Sequence, residues 1–168
     1  ARLVLLGNRT WRPNAEAAER IVALWPRIRA GIPGAELVLV GPRPAGGSAG
    51  ELPEGVIDVG SVSDVGQVLA GCRAMVAPVA VGGGVRVKVL EAAARGLPVI
   101  ATSSAVGSIE SVLGVPAVDD EDAFVDRARA LLRDPSLAAE VGGQLYEANR
   151  KRWDDGWVKA SIRTWLDA

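Results

Sequence analysis

In the stretch VAVGGGVRVKVLEAAARG (Val79 to Gly96), Gly82, Gly83 and Gly84 lead into a helical pattern that opens with Arg86 and Lys88 and carries Glu91. These residue types suit phosphate chemistry. Glycines let backbone amides approach a ligand where a Cβ would intrude. The free amides of a helix start attract anions. Two cations in that first turn oppose the dipole, at roughly 0.3–1 kcal/mol each when exposed. A bound diphosphate reverses the sign, because it meets the amides and both cations together. Arg86 can clasp two phosphate oxygens, while Lys88 acts as a point charge. Glu91 lies about one turn deeper than Lys88, where a carboxylate suits ribose hydroxyls. Val87, Leu90 and Ala94 share another face, expected to be core. The alternative use of the charges is a surface i,i+3 pair of Lys88 with Glu91. No Gly-Lys-Ser/Thr follows the glycines, so this is not a Walker loop. Nor is it a dinucleotide fingerprint, which belongs after the first strand, where the chain reads GNRTWRPN.

Composition removes several other chemistries. The 168 residues include no histidine and one cysteine, Cys72. Ser-His-Asp and Cys-His catalysis, the usual zinc sites and an internal disulfide are therefore excluded within the chain. Net charge is −1, so no global field favours nucleic acid or anionic lipid. No apolar run reaches the roughly 18 residues of a membrane span, and the first one, Leu3 to Leu6, is too short for a signal peptide. The single cysteine points to a reducing compartment, most simply the cytoplasm. The chain begins at Ala1 rather than Met, as expected of a processed chain, a trimmed one or a domain of something longer.

Strand and helix patterns alternate for most of the length. Apolar runs predict strands at Leu3–Gly7, Glu36–Gly41, Val56–Val59, Ala74–Ala77, Leu97–Ala101 and Val115–Val118. Helices are expected from Asn14, a plausible N-cap, to about Gly31. Others follow over Asp64–Gly71 with Ser63 or Asp64 as cap, from about Val85 to Arg95, and near Glu121–Leu132, Ser136–Arg152 and Asp155–Leu166. Pro42 to Gly50 reads as a loop, and Ser103 to Gly114 as a loop with about one helical turn. Strands that are apolar throughout rather than alternating are buried on both faces. The expected fold is therefore a single α/β domain, a Rossmann-like, doubly wound, parallel six-stranded sheet with helices on both faces and further helices at the C-terminal end. Such sheets bind ligands at the carboxyl ends of their strands. Arg127, Arg129 and Arg133 read as a solvated helix face. Asp119, Asp120, Glu121 and Asp122 read as an acidic helix start rather than a metal cluster, and Cys72 as a small core residue.

The segment APVAVGGGVRVKVLEAAARGLPVIAT resembles the signature of retaining, family-4-like glycosyltransferases of the GT-B fold (glycosyl transferases group 1). There a strand ending in Pro leads to a Gly loop, a helix carrying Glu-Ala-x-Ala-x-Gly, and Pro-Val-(Val/Ile)-Ala-Thr. GNRTWRPN is similar to a subgroup opening, Gly-Asn-x-x-x-x-Pro-Asn. VIDVGSVSDVGQVLAGCRAMVAP resembles the base-binding loop with its following strand, and RWDDGWVKASIRTWLDA the Trp-rich terminal helix. The likeness runs through the whole chain and implies one half of a GT-B enzyme, the C-terminal domain that holds a nucleotide-sugar donor. The N-terminal, acceptor-binding domain would be the partner. The resemblance further implies no metal or other cofactor held by this domain and no nucleic-acid partner. It implies a cytoplasmic protein, with the inner membrane face as a place for the full-length enzyme.

By the same resemblance, Gly82, Gly83 and Gly84 supply amides near the diphosphate or donor sugar. Arg86 and Lys88 neutralise phosphate and act in catalysis, Glu91 meets the ribose, Gly7 and Asn8 border the phosphates, and Val62 lies near the base. The chain departs from the pattern at Gly83, where many members carry the first of two glutamates and use it on the donor sugar. The Lys often found after the first strand is also absent, with Arg9 and Arg12 as candidates for its place. The missing glutamate keeps open a non-catalytic nucleotide-binding or interaction domain. A GT-B sugar-nucleotide epimerase is a further alternative, disfavoured by the absence of histidine, and a nicotinamide-dependent oxidoreductase is disfavoured by the first loop. Trp153, Trp157 and Trp165 suit either docking of a terminal helix or a membrane surface.

Overall fold

A computed structural model describes residues 1–44, 51–82 and 87–154. Five strands form one sheet: β1 (Arg2–Leu6), β2 (Glu36–Val40), β3 (Val56–Gly60), β4 (Ala74–Ala77) and β5 (Val99–Ala101). Their order is β3-β2-β1-β4-β5, and every pairing is parallel. β1 is central, with Leu3 beside Leu37 on one side and Ala74 on the other. Leu3, Val4, Leu37, Val38, Ala74 and Met75 are all buried, as the unbroken apolar runs require.

The helices are α1 (Arg12–Arg29), α2 (Val65–Ala70), α3 (Val87–Ala93), α4 (Ser103–Val106), α5 (Ile109–Leu113), α6 (Glu121–Arg133) and α7 (Pro135–Asp154). From β1 the chain crosses through α1 to β2. From β4 it crosses through α3 to β5 on the other side of β1. Right-handed crossovers in opposite directions along a sheet place α1 and α3 on opposite faces. The order thus reverses between β1 and β4, and the crevice at their carboxyl ends is the topological switch point.

The sheet has five strands where six were expected. Val115–Val118 contributes only an isolated bridge, Ala117 to Ala101. Pro116 has no N–H to give a ladder, so an apolar run there does not extend the sheet. Helix α1 begins at Arg12 with Trp11 as N-cap and Pro13 in its first turn, the cap three residues ahead of the expected Asn14. Asn14 lies inside the helix and is buried rather than capping it. Asp64 caps α2, its carboxylate accepting from the N–H groups of Gly66 and Gln67. In α3 the buried residues are Val89, Ala92 and Ala93; of the expected core face Leu90 packs against the core, whereas Val87 is 63% exposed and Ala94 is also exposed. Both stripes are apolar, so spacing alone did not choose between them. The segment after β5 folds as two short helices rather than one turn.

Two groups of charges do structural work. Asp120 caps α6 through the Ala123 N–H, Glu121 and Asp122 both pair with Arg27 of α1, and Asp119 accepts from the Ser103 N–H. Arg129 and Arg133 are not simply solvated. They donate to the carbonyls of Arg27, Ile28 and Ala30, at the end of α1, where a helix leaves acceptors unsatisfied. The expected helix Asp155–Leu166, with Trp157 and Trp165, lies outside the described residues. Among them Trp153 is exposed and packs its ring against Arg152, 5.4 Å from the guanidinium.

Candidate functional site

The β1–α1 loop and α3 meet at the switch point. Lys88, in the first turn of α3, donates from Nζ to Asn14 Oδ1 of α1 at 2.8 Å. Asn14 Nδ2 donates to the Asn8 carbonyl at 2.9 Å. The Asn8 side chain folds onto its own loop, with Oδ1 accepting from Thr10 N at 2.9 Å and Thr10 Oγ1 at 2.7 Å. Gly7, Asn8 and Lys88 are thus brought together, although 81 positions separate the outer members of that set in the sequence.

The backbone approaches at this corner leave no room for side chains. A Cβ at Gly7 would lie 2.9 Å from the Asn14 amide carbon. Gly41, just after β2, has φ +123°, and a Cβ there would come within 2.1 Å of the Gly7 carbonyl oxygen. Gly7 N–H donates to the Val40 carbonyl and Gly41 N–H to that of Gly60, so the first three loops at this end are stitched together.

Arg9 extends from the β1–α1 loop across the end of β2. Its guanidinium holds Asp58 of β3 with two bonds, 2.8 and 2.7 Å, and also donates to the Gly41 carbonyl at 2.8 Å. Both side chains are buried, 7% and 9% exposed. The pairing of β2 with β3 is irregular here: Leu39 faces Asp58 and Val40 faces Gly60, leaving Val59 as the extra residue of a bulge. Asp58 Oδ1 accepts the Gly60 N–H at 3.0 Å. Asp58 points inward by the strand's ordinary alternation, between the exposed Ile57 and Val59, and the irregularity follows it. The Arg9 hydrogen bonds hold the Asp58 carboxyl below its ordinary value, against the opposing effect of burial; the Gly60 N–H and the charges of Arg9 and Arg43 add to them. Arg9 is therefore engaged with a carboxylate, and Arg12 pairs at the surface with Glu16.

On the other side of the crevice the β4–α3 connection is anchored from β5. Thr102, buried after β5, donates to the Val79 carbonyl at 2.6 Å, and Ser104 donates to that of Ala80 at 2.8 Å. Val81 is 70% exposed and Gly82 is half-buried. Gly83, Gly84 and Arg86 lie outside the described residues. Glu91 pairs with Arg95 at 2.7 Å, along the helix and away from Lys88, so the alternative Lys88–Glu91 pair is not what Glu91 makes. Arg95 in turn borders Gly66 at the start of α2, where a Cβ would be 3.3 Å from its Nη2. This places the Glu91 face of α3 beside the β3–α2 connection that carries Val62, a half-buried residue packed on the core. Among the described residues no cluster of three or more His, Cys, Asp or Glu could hold a metal, and no helix is long and apolar enough to cross a membrane.

Asn14, Asp58, Thr102 and Ser104 were not assigned a role in the site from sequence. Asp58 had a visible signal, a charge inside an otherwise apolar strand. Asn14 had one too, since Pro13 in the first turn places it inside the helix rather than at its cap.

The model for the family described as Glycosyl transferases group 1 matches residues 1–134, and the chain belongs to that family. No curated protein matches it. Among solved structures, HepE from Anabaena in complex with UDP and glucose is similar at 15% identity and TM-score 0.74, covering 99% of this chain and 48% of its own. Sucrose-phosphate synthase from Thermosynechococcus elongatus aligns at 21% identity and TM-score 0.71, over 98% of this chain and 45% of its own. The C-terminal domain of LpcC, a glycosyl transferase group 1 family protein from Francisella tularensis, aligns at 16% identity and TM-score 0.67, over 90% of this chain and 85% of its own. At these identities the likeness is one of fold: a parallel, Rossmann-like α/β sheet of the GT-B type. The chain spans less than half the length of HepE and of the synthase.

Proposed function

We propose that the chain is the donor-binding, C-terminal half of a glycosyltransferase. It holds a nucleoside diphosphate sugar at the β1/β4 switch point, for transfer with retention to an acceptor bound by a separate N-terminal domain. The observation that carries this is the Lys88 ammonium, held at the carboxyl-end crevice by Asn14 of the opposite helix, in a chain of this family. Support also comes from HepE, whose structure contains UDP and glucose, and from LpcC, whose C-terminal domain was solved by itself.

In this proposal the leaving diphosphate gains negative charge as the glycosidic bond breaks. Lys88 and Arg86 oppose that charge from fixed positions, a form of transition-state stabilisation that needs no proton transfer. Backbone amides of Gly82, Gly83 and Gly84, with Gly7 and Asn8 opposite, border the phosphates. Glu91 meets the ribose, sharing its carboxylate with Arg95, since its oxygens together offer about four acceptor sites. Val62 lines the base. No metal or other cofactor and no nucleic acid takes part. The full-length protein works in the cytoplasm, with the inner face of the membrane as a place for it. The lone cysteine supports a reducing setting.

Calorimetry with UDP and GDP tests the binding half of the proposal. The 168-residue chain is expected to bind at least one of them weakly and to transfer nothing without the acceptor domain. No binding of either would overturn it. Gly83, in the place of the sugar-contacting glutamate, favours a second reading, a nucleotide-binding domain without transfer activity. Transfer by the full-length protein from UDP- or GDP-sugars to a lipid extract separates the two.

A further inference from the structure

We infer that Asn14 is a positioning residue for Lys88, orienting its charge through a neutral acceptor that does not cancel it. The inference rests on the proposal above, that Lys88 meets a diphosphate. Asn14 is 7% exposed, so its amide must be satisfied from within. Both ends are: Nδ2 donates to the Asn8 carbonyl at 2.9 Å and Oδ1 accepts from Lys88 Nζ at 2.8 Å. These partners fix which end is which, because an ammonium only donates and a carbonyl only accepts. The amide also has no slack, since the Gly7 backbone packs against it too closely to admit a Cβ. One side chain therefore ties the β1–α1 loop, α1 and α3 into a single geometry.

The choice of an amide follows from two opposed requirements. The group facing Asn8 must donate, and the group facing Lys88 must accept without carrying charge. Aspartate meets neither: it sets an acceptor against the Asn8 carbonyl, and its negative charge cancels that of Lys88 and repels phosphate. Alanine removes both hydrogen bonds, so nothing from α1 then orients the Lys88 ammonium. Of the residues that fit the space, asparagine alone serves both ends.

The chain has three lysines, Lys88, Lys151 and Lys159, so the side-chain ammonium signals are few. In nitrogen-15 spectra of the unliganded chain, the signal lost in Lys88→Arg identifies Lys88. That signal is expected to shift in Asn14→Ala and in Asn14→Asp. Calorimetry with UDP, GDP and inorganic pyrophosphate should show Asn14→Ala weakening diphosphate binding about fivefold, and Asn14→Asp about tenfold or more, as for loss of a charge-assisted bond. Adding Asn14→Ala to Lys88→Ala should cost little further, because both remove the same interaction. If Asn14→Ala does not fold, the near-isosteric Asn14→Asp carries the same two measurements. An unmoved Lys88 signal, wild-type affinity in a folded Asn14 variant, or fully additive losses overturn the inference and leave the role of Lys88 intact. A wild-type chain that binds no diphosphate, or a Lys88→Ala chain that binds as wild type, overturns both.

Discussion

Arg9 of the first loop and Asp58 of β3 form a bidentate ion pair, at 2.8 and 2.7 Å, across the end of the strand that separates them. The pair is almost fully buried, and its guanidinium also satisfies the Gly41 carbonyl. It fixes the wall of the crevice on the side away from Lys88.

Removing one partner leaves the other charged and buried. Asp58→Ala is expected to lower the unfolding free energy by about 3–5 kcal/mol, measured by urea denaturation. The double variant Arg9→Met with Asp58→Leu should recover much of that loss, because no charge is then stranded. A loss below about 1 kcal/mol for Asp58→Ala would place the pair with weak surface bridges instead.

The same pair sets the acid limit of the fold. The folded-state value of Asp58 is depressed, chiefly by the Arg9 hydrogen bonds. Its contribution is therefore complete above the unfolded carboxylate value, about 3.9, and is lost as pH falls through the lower, folded one. Stability should drop below about pH 4, and Asp58→Asn should flatten that part of the profile. With no histidine in the sequence, little side-chain titration falls between about pH 5.5 and 8, and stability there should be nearly constant. A steep change within that window would contradict this account.

Cys72 should react slowly in the native protein. Burial pushes its thiol up to about 11, and Sγ lies 3.2 Å from the Val68 carbonyl as a weak donor. Thiolate, the reactive form, is then on the order of a hundredfold scarcer at pH 8 than at the ordinary value near 9. Aromatic disulfide reagents should label Cys72 at least that much faster in urea than in buffer. Equal rates would mean that the thiol is not held as described.

Lys88→Ala in the full-length enzyme should reduce kcat by about tenfold or more, the usual scale for a donor that meets developing charge. Undiminished turnover would remove Lys88 from the chemistry.

The strands were the most legible part of the chain. LVLL, LVLV and AMVA are apolar at every position and pair as largely buried strands. Val115–Val118 is equally apolar, yet Pro116 limits it to one bridge, because a ladder needs donors as well as hydrophobicity. In the candidate site, Lys88 stands out in the sequence because its charge sits where a helix start disfavours it. Asn14 and Asp58 each leave a local sign, but their partners are not legible, because the pairings span 74 and 49 positions and spacing along a chain carries no record of such contacts. The α3 core face was legible only at Leu90, for a related reason: two apolar stripes compete, and only the packed sheet decides between them.

The switch point has a consequence for when the crevice exists at all. Its two walls come from opposite ends of the β1-to-α3 stretch, and they meet only when β4 has docked beside β1. A molecule gripping both walls must let go whenever those central strands part. Occupancy of the crevice would therefore brace the middle of the sheet, raising the melting temperature and slowing amide exchange in β1 more than at the outer edge of β3.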